Sequence, residues 1–418
     1  MVQTLPDSFN ATSDYHYDLV IVGGGIVGLT LAAALTPVGF KVAIVETKPF
    51  AQATTQRRAY AMSLLSSRIF ASIGIWKEII TESGKFQQIR LSDGDDRSVV
   101  KFQPQELGTE YLGYVSEHGT ILKALHQYLV KLPNIDWFNP AEVIDVSEKG
   151  SDVDITVQTE AKQYQLQSQL VIGADGARSR LRQWAGIQTR GWKYWQSCVA
   201  FTIKHSAVRN DIAFERFWNT GPMGVLPLPG NRCQIVWTAP HAQAKRLESI
   251  DEATFLSELT ARTGGLLGEL TLASDRTLFP VQLMQSDRYV KSRLALVGDA
   301  AHCCHPVGGQ GLNLGIRDAA SLAQILAEAK SQGEDIGNLN VLKRYEHWRK
   351  RENLAILGFT DILDRLFSNN FFPLVIIRRF GLWLLKYLTP LKVFSLKLMV
   401  GFLGRKPRLS WETLVRSS

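Results

Sequence analysis

Residues 18–46 constrain this chain more than any other stretch, because they read strand, glycine turn, helix, strand and acid as one unit. Residues 19–22, Leu-Val-Ile-Val, form a β-branched run without charge, as in a parallel strand buried on both faces. Gly23, Gly25 and Gly28 then fall in G-x-G-x-x-G spacing. The first permits a tight turn and the second lets backbone approach a pyrophosphate. The third lets the helix predicted over 26–35 pack closely on its strand. Phosphate at that helix's N-terminus meets free N–H groups and the positive end of the helix dipole. Residues 41–45 predict the second strand, and Glu46 ends it 18 residues after Gly28. A carboxylate there accepts the hydroxyls of an adenosine ribose and repels a 2′-phosphate. Dinucleotide binding follows from the whole unit rather than from the glycines alone, and which dinucleotide stays open at this point.

Two more glycine turns follow strands of the same character. Residues 170–172 end in Gly173-Ala174-Asp175-Gly176, where Asp175 is either a nucleotide contact or part of a plain Asp-Gly turn. Residues 293–297 end in Gly298-Asp299-Ala300-Ala301-His302, and His305-Pro306-Val307-Gly308-Gly309-Gln310-Gly311-Leu312-Asn313 opens a long helix that includes 318–329. Glycines and a proline at a helix N-terminus let backbone N–H groups face a planar ring and stabilise negative charge on it. His302 and His305 read as structural or cofactor-lining groups, and no metal site is expected; Asp299 suits a sugar hydroxyl. His305 is also the one candidate acid or base, since neutral imidazole is available near pH 7. Arg58 is a pyrophosphate or flavin contact, or a solvated arginine.

Between these turns, residues 64–80 have helical spacing, 86–102 alternate like strands around Asp93-Gly94, and 120–132 predict a helix. Strands are predicted over 135–146 and 153–159. From 191 to 277 the pattern becomes a mostly antiparallel sheet, with strands at 199–203, 212–218, 224–228 and 234–238, and 250–270 look helical. Trp192, Tyr194, Trp195, Phe214, Phe217, Trp218 and Trp237 either wall a flat apolar ligand or fill the core of that sheet.

A net charge of +8 invites a nucleic-acid reading, but its distribution removes it. Eight basic residues and no acid lie between 371 and 408, and without them 39 basic face 39 acidic residues. Cys198, Cys233, Cys303 and Cys304 have neither metal spacing nor a disulfide framework, so buried thiols in a reducing compartment are expected. The run at 19–22 follows Asp7, Asp14 and Asp18 rather than a basic segment, unlike a signal peptide.

The three nucleotide elements, Gly23 to Gly28 with Glu46, Gly173 to Gly176, and Gly298 to His302 running into 305–313, together with Arg58-Ala59, resemble the group A flavoprotein aromatic hydroxylases. The likeness is greatest to their ubiquinone-biosynthesis branch, the UbiH-like FAD-dependent monooxygenases. It extends to the Gly-Pro and Leu-Pro-Leu-Pro pieces of 215–228 and to Leu366-Phe367-Ser368-Asn369. The resemblance implies an α/β fold, a Rossmann-like FAD-binding domain of glutathione-reductase type with an inserted, mostly antiparallel β-sheet substrate domain and C-terminal helices. It implies FAD-binding segments at 17–85, 116–190 and 278–345, substrate-domain segments at 86–115 and 191–277, and C-terminal helices over 346–418. Gly23, Gly25, Gly28, Glu46 and Arg58 would hold the ADP half of FAD, with a backbone contact from Val143 to adenine. Asp175-Gly176 would serve FAD and reduced nicotinamide, and Asp299 the ribityl or pyrophosphate portion. Gly308, Gly311 and the backbone of Leu312 and Asn313 would face the flavin's pyrimidine edge. His118 occupies a place where relatives carry Gln, Asn or Arg near the flavin.

The implied reaction is reduction of FAD by NADH or NADPH, addition of O₂ to give a flavin C4a-hydroperoxide, and hydroxylation of an aromatic ring in a prenylated quinone precursor. The competing readings are an FAD-dependent isoprenoid reductase and a non-catalytic flavin-binding member of a biosynthetic complex. Residues 371–388 and 391–403 are apolar pieces broken at Pro390, with Arg378, Arg379 and Lys386 within roughly 100° of one another on a helix. That pattern predicts peripheral membrane contact through 371–408, in a cytoplasmic protein, with a helical cap packed on the flavin domain as the alternative.

Overall fold

The computed structural model describes residues 15–94 and 99–409, so Asp7, Asp14 and the last nine residues of the expected C-terminal segment lie outside it. Its first layer is a sheet centred on the strand Tyr15–Val22. Leu19 pairs in parallel with Val42 on one side and with Leu170 on the other. Ile135–Phe138 extends the sheet beyond Val42–Val45, and Leu294–Leu296 extends it beyond Gln163–Gly173, all in parallel. Leu19, Val20 and Ile21 are fully buried, as expected of a strand covered on both faces. The helix Ile26–Leu35 is apolar all round and packs against the helices His118–Leu129 and Gln310–Ser331. That close packing explains the outer glycines of the motif. A Cβ on Gly23, whose φ is +114°, would lie 2.3 Å from the Ala174 carbonyl oxygen, and one on Gly28 would lie 2.1 Å from the Gly23 carbonyl oxygen.

The second layer is a nine-stranded sheet built around Thr189–His205, which pairs antiparallel with Arg232–Pro240 and Thr277–Ser286. Met223–Leu228, Ile212–Phe217, Gln88–Asp93 and Val99–Phe102 continue it outward. All these pairings are antiparallel except that between Ile212–Phe217 and Gln88–Asp93. The aromatics of this region divide between the two roles open in the sequence. Trp237 is buried with Phe201 and Phe255 under the helix Glu252–Thr263 and Phe214 packs against that cluster, Phe217 faces a cavity, and Trp192 and Trp195 are exposed. A small sheet of Ala59–Met62, Gly113–Glu117 and Gly84–Phe86 stands beside these layers.

Several element boundaries differ from expectation. The helix expected over 64–80 is two helices, Leu64–Ile73 and Trp76–Ile80, because Gly74 adopts φ +96° and ends the first. The one expected over 250–270 stops at Thr263, where Gly264 takes a left-handed cap, and Leu270–Leu272 is a strand. The C-terminal region is three helices, Leu339–Phe367, Phe372–Tyr387 and Thr389–Met399, with Pro390 in the first turn of the last.

A buried polar centre ties the third glycine turn to the C-terminal helices. Both Asp318 oxygens are used: His302 Nε2 lies 2.6 Å away, and Arg349 Nε, Asn353 Nδ2 and the Gly298 N–H donate at 2.8, 3.0 and 3.1 Å. Burial alone would raise this carboxyl, but His302 and Arg349 hold it well below the usual range.

Candidate functional site

The glycine turns and the second sheet enclose one cavity of about 690 Å³. The N-termini of Ile26–Leu35 and Gln310–Ser331 are among those that open into it, and neither carries a capping side chain or an acid in its first turn. Orphan N–H groups left bare in this way are a ready site for anionic or electron-rich ligand atoms. Before the second helix, Gly308 and Gly309 take φ +66° and +61°, a left-handed pair that only glycine adopts without strain.

Glu46 sits at the rim of the first turn. Its Oε2 accepts from the Gly24 N–H and its Oε1 from the Lys48 N–H, both at 2.7 Å, which fixes the carboxylate beside the glycine loop. Its own backbone bonds Phe138 and Ala141, so Val143, two residues on in the strand Glu142–Lys149, is placed close by but outside the cavity wall. Arg58 lines the cavity with its guanidinium 4.7 Å from the Phe279 ring, and its carbonyl accepts from the His118 N–H at 2.7 Å. His118 therefore starts its helix inside the cavity. Burial, with Arg58 and Lys48 nearby, lowers its pKa to about 4, so it is neutral at pH 7.

Asp175 accepts from the Leu181 N–H at 3.2 Å through one oxygen, while its other oxygen is buried without a partner. Asp299 lines the cavity and is raised above the ordinary carboxylate range by burial. Gly308, Gly311, Leu312 and Asn313 line it as well. The Asn313 side chain is fully engaged: it accepts from the Ser63 N–H at 2.8 Å and donates to the Ala61 and Gly309 carbonyls at 2.8 and 2.7 Å. Only its backbone is left for a ligand.

His305 is not brought to the cavity. It is fully buried, with Nδ1 accepting from the Val307 N–H at 3.3 Å and Nε2 3.4 Å from an Asp364 oxygen, and burial lowers its pKa to about 3. Its ring meets Tyr194 edge-on at 5.1 Å instead. Among the described residues no cluster of three or more His, Cys, Asp or Glu is placed to hold a metal ion. Cys303 and Cys304 are free thiols, both raised by burial.

Two parts of the site were absent from the sequence reading. One is Glu215, a carboxylate on the sheet wall of the cavity; the period-2 pattern of Ala213, Glu215 and Phe217 does place an acid on an apolar face. The other is the far wall, made by Leu382, Leu385, Leu391 and Met399 of the last two helices. Here Arg378 corrects the expected basic face. It is 2% exposed, and its guanidinium donates to Asp93 at 2.8 Å and to the Asn369 carbonyl at 2.6 Å. The outward stripe of that helix is Phe372, Ile376, Phe380, Trp383 and Tyr387, each more than half exposed.

A parallel βαβ unit with a glycine turn, a second uncapped helix N-terminus and an unpartnered Asp175 oxygen fit a protein that holds a flavin dinucleotide. Residues 16–360 match the FAD-binding domain family. The chain is 56% identical to an uncharacterised protein of Synechocystis sp. over 95% of this chain and 96% of that one. It is 35% identical to ubiquinone hydroxylase UbiL of Rhodospirillum rubrum, over 95% and 92% of the two chains. Against 3-demethoxyubiquinol 3-hydroxylase of Escherichia coli the identity is 34% over 92% and 98%. The fold matches p-nitrophenol 4-monooxygenase PnpA of Pseudomonas putida with a TM-score of 0.79 at 20% identity, covering 94% of this chain and all of that one. The chain belongs to the FAD-dependent monooxygenases of the ubiquinone-hydroxylase family, and its cofactor is FAD.

Proposed function

We propose that this monooxygenase uses NADH or NADPH and O₂ to hydroxylate the aromatic ring of a prenylated quinone precursor. The convergence of two bare helix N-termini on one cavity, opposite an apolar sheet face, carries the reading. Gly23, Gly25 and Gly28 present the first helix end to the pyrophosphate, with Arg58 as its counter-charge and Glu46 on the ribose. Asp299 takes a hydroxyl of the ribityl chain, and the unpartnered Asp175 oxygen accepts from FAD or from the visiting nicotinamide. Gly308, Gly311 and the backbone of Leu312 and Asn313 border the ring, whose negative charge on reduction the long helix end stabilises. Bound FAD supplies the electron and oxygen chemistry; the chain orients the substrate ring and keeps water out.

The last two helices serve the substrate's tail. Their inner side walls the cavity with leucines, while their outer stripe of aromatic and aliphatic side chains, flanked by exposed Lys386 and Lys397, suits a lipid surface. None of the described helices is long and apolar enough to cross a membrane, so the contact is peripheral. Incubation of the FAD-loaded enzyme with NAD(P)H, labelled O₂ and prenylated phenols tests the reaction. One labelled oxygen in the product is expected, and turnover without O₂ would instead point to a reductase.

A further inference from the structure

Among the described residues, the second sheet contributes one carboxylate to the cavity wall, Glu215. Its strand partners at that level are Leu91 on one side and Gly224 on the other, and a Cβ added to Gly224 would lie 3.7 Å from Glu215 Oε2. The side chain therefore leans across a bare glycine into the space before the Pro306–Gly309 turn. There Oε2 accepts a long, 3.4 Å hydrogen bond from the Gly308 N–H. Burial raises this carboxyl to about 7, and that bond offsets the rise only in part. Farther across the same sheet, on Thr189–His205, the Cys198 thiol is raised to about 12 by burial and stays neutral. The other ionisable groups on the wall are Arg58, Tyr60 and His118 on or beside the small sheet, Asp299, Cys303 and Cys304 ahead of the Pro306 turn, and Arg378, which is committed to Asp93.

An acid on an apolar wall with one weak partner has no structural return for its desolvation. We propose that Glu215 is a catalytic residue: its carboxylate accepts the hydrogen bond, then the proton, of the substrate's ring hydroxyl. The inference rests on the aromatic-hydroxylase reading above and deepens it. The hydroxyl O–H bond breaks, its electron pair stays on the ring oxygen, and the proton moves to Glu215. Charge delocalised from that oxygen makes the neighbouring ring carbon nucleophilic enough to accept one atom of O₂. The second atom leaves as water, with two electrons from the nicotinamide by way of the flavin. The substituted carbon then releases its hydrogen as a proton, Glu215 returns its own to the ring oxygen, and the carboxylate is restored. The hydrogen bond to Gly308 places this exchange against the loop that borders the ring.

Glu215→Gln separates the chemical role from a tether, because the amide oxygen still accepts from Gly308. We expect unchanged FAD content and thermal stability and a kcat lower by about 10²-fold, as for loss of a general base. KM should move by less than about 3-fold, since a neutral acceptor remains. Wild-type kcat should rise with pH through about 7 as the carboxylate ionises, and the variant should lack that limb. Glu215→Asp should restore the limb and part of the rate. Binding offers a readout without turnover: the oxidised enzyme's preference for a prenylated phenol over its O-methyl ether should increase between pH 6 and 8 in wild type and stay flat in Glu215→Gln. Hydroxylation by Glu215→Gln at the wild-type rate with the same pH limb would reduce Glu215 to a loop tether and leave the hydroxylase reading standing. Failure of any prenylated phenol to bind or react with wild type would overturn both.

Discussion

Gly25→Val separates ligand recognition from folding at the first glycine turn. Gly25 has φ −75° and ψ 178°, extended backbone open to any residue, and a Cβ added there meets no atom within 4 Å. Nothing in the protein itself requires glycine at this position. Valine should therefore leave the FAD-free protein within about 0.5 kcal/mol of wild type. Gly25 lines the cavity, so the same side chain would stand where we propose that pyrophosphate meets the helix N-terminus. Obstructing one charge-assisted hydrogen bond removes roughly 1.5–3 kcal/mol, or about 10- to 140-fold in FAD affinity. Gly28→Ala is the contrasting case, since its Cβ would fall 2.1 Å from the Gly23 carbonyl and folding itself should fail. Urea unfolding of the apoprotein gives the first quantity, and quenching of FAD fluorescence on titration gives the second. Wild-type FAD affinity in Gly25→Val would show that the dinucleotide does not pass this turn.

Arg378→Met should destabilise the protein by about 3 kcal/mol in denaturant unfolding, because among the described residues it leaves the buried Asp93 carboxylate with the more distant Arg379 as its cation; a loss below about 1 kcal/mol would mean that the pair is not what seats the last helices. Asp318→Asn should lose about 3–5 kcal/mol at pH 7. A folded-state pKa below the unfolded value contributes its stability above the unfolded value and loses it as pH falls through the folded one. The wild-type advantage should therefore be equal at pH 7 and pH 5 and shrink only in stronger acid; its disappearance by pH 5 would refute the coupling to His302 and Arg349. Phe380→Glu with Trp383→Glu should leave the fold intact and abolish co-sedimentation with anionic vesicles, whereas unchanged sedimentation would remove this stripe from the lipid surface.

The sequence was most legible where backbone geometry dictates residue type. Gly23 and Gly28 must be glycine because carbonyl oxygens stand where a Cβ would go, and Gly308 and Gly309 because their φ is positive. Such demands show in any single sequence, so the turns that border the cavity could be located before any coordinates. Legibility failed where meaning depends on a distant partner. Arg378 looks like a surface cation until Asp93, 285 residues away, is placed beside it. Helical periodicity grouped it with Arg379 and Lys386 because periodicity records only the helix's own faces, not what each face meets. His305 sits next to a glycine turn in sequence yet turns its ring toward Tyr194 and Asp364, since a backbone position does not fix a side chain's direction. For the last two helices the sequence offered a lipid-facing surface or a cap on the flavin domain, and the inner side walls the cavity while the aromatic stripe faces outward.

The two sheets are interleaved along the chain. Polypeptide enters the first at 15–45, leaves for the second at 88–102, returns at 135–173, departs again at 189–286, and comes back at 290–296. Neither layer can therefore be excised as a contiguous fragment, and a nascent chain cannot complete the first until almost 300 residues are available. Such non-local topology slows folding and leaves half-finished layers exposed meanwhile. The cavity lies between the two layers, so its walls are complete only when both interleaved sheets have formed.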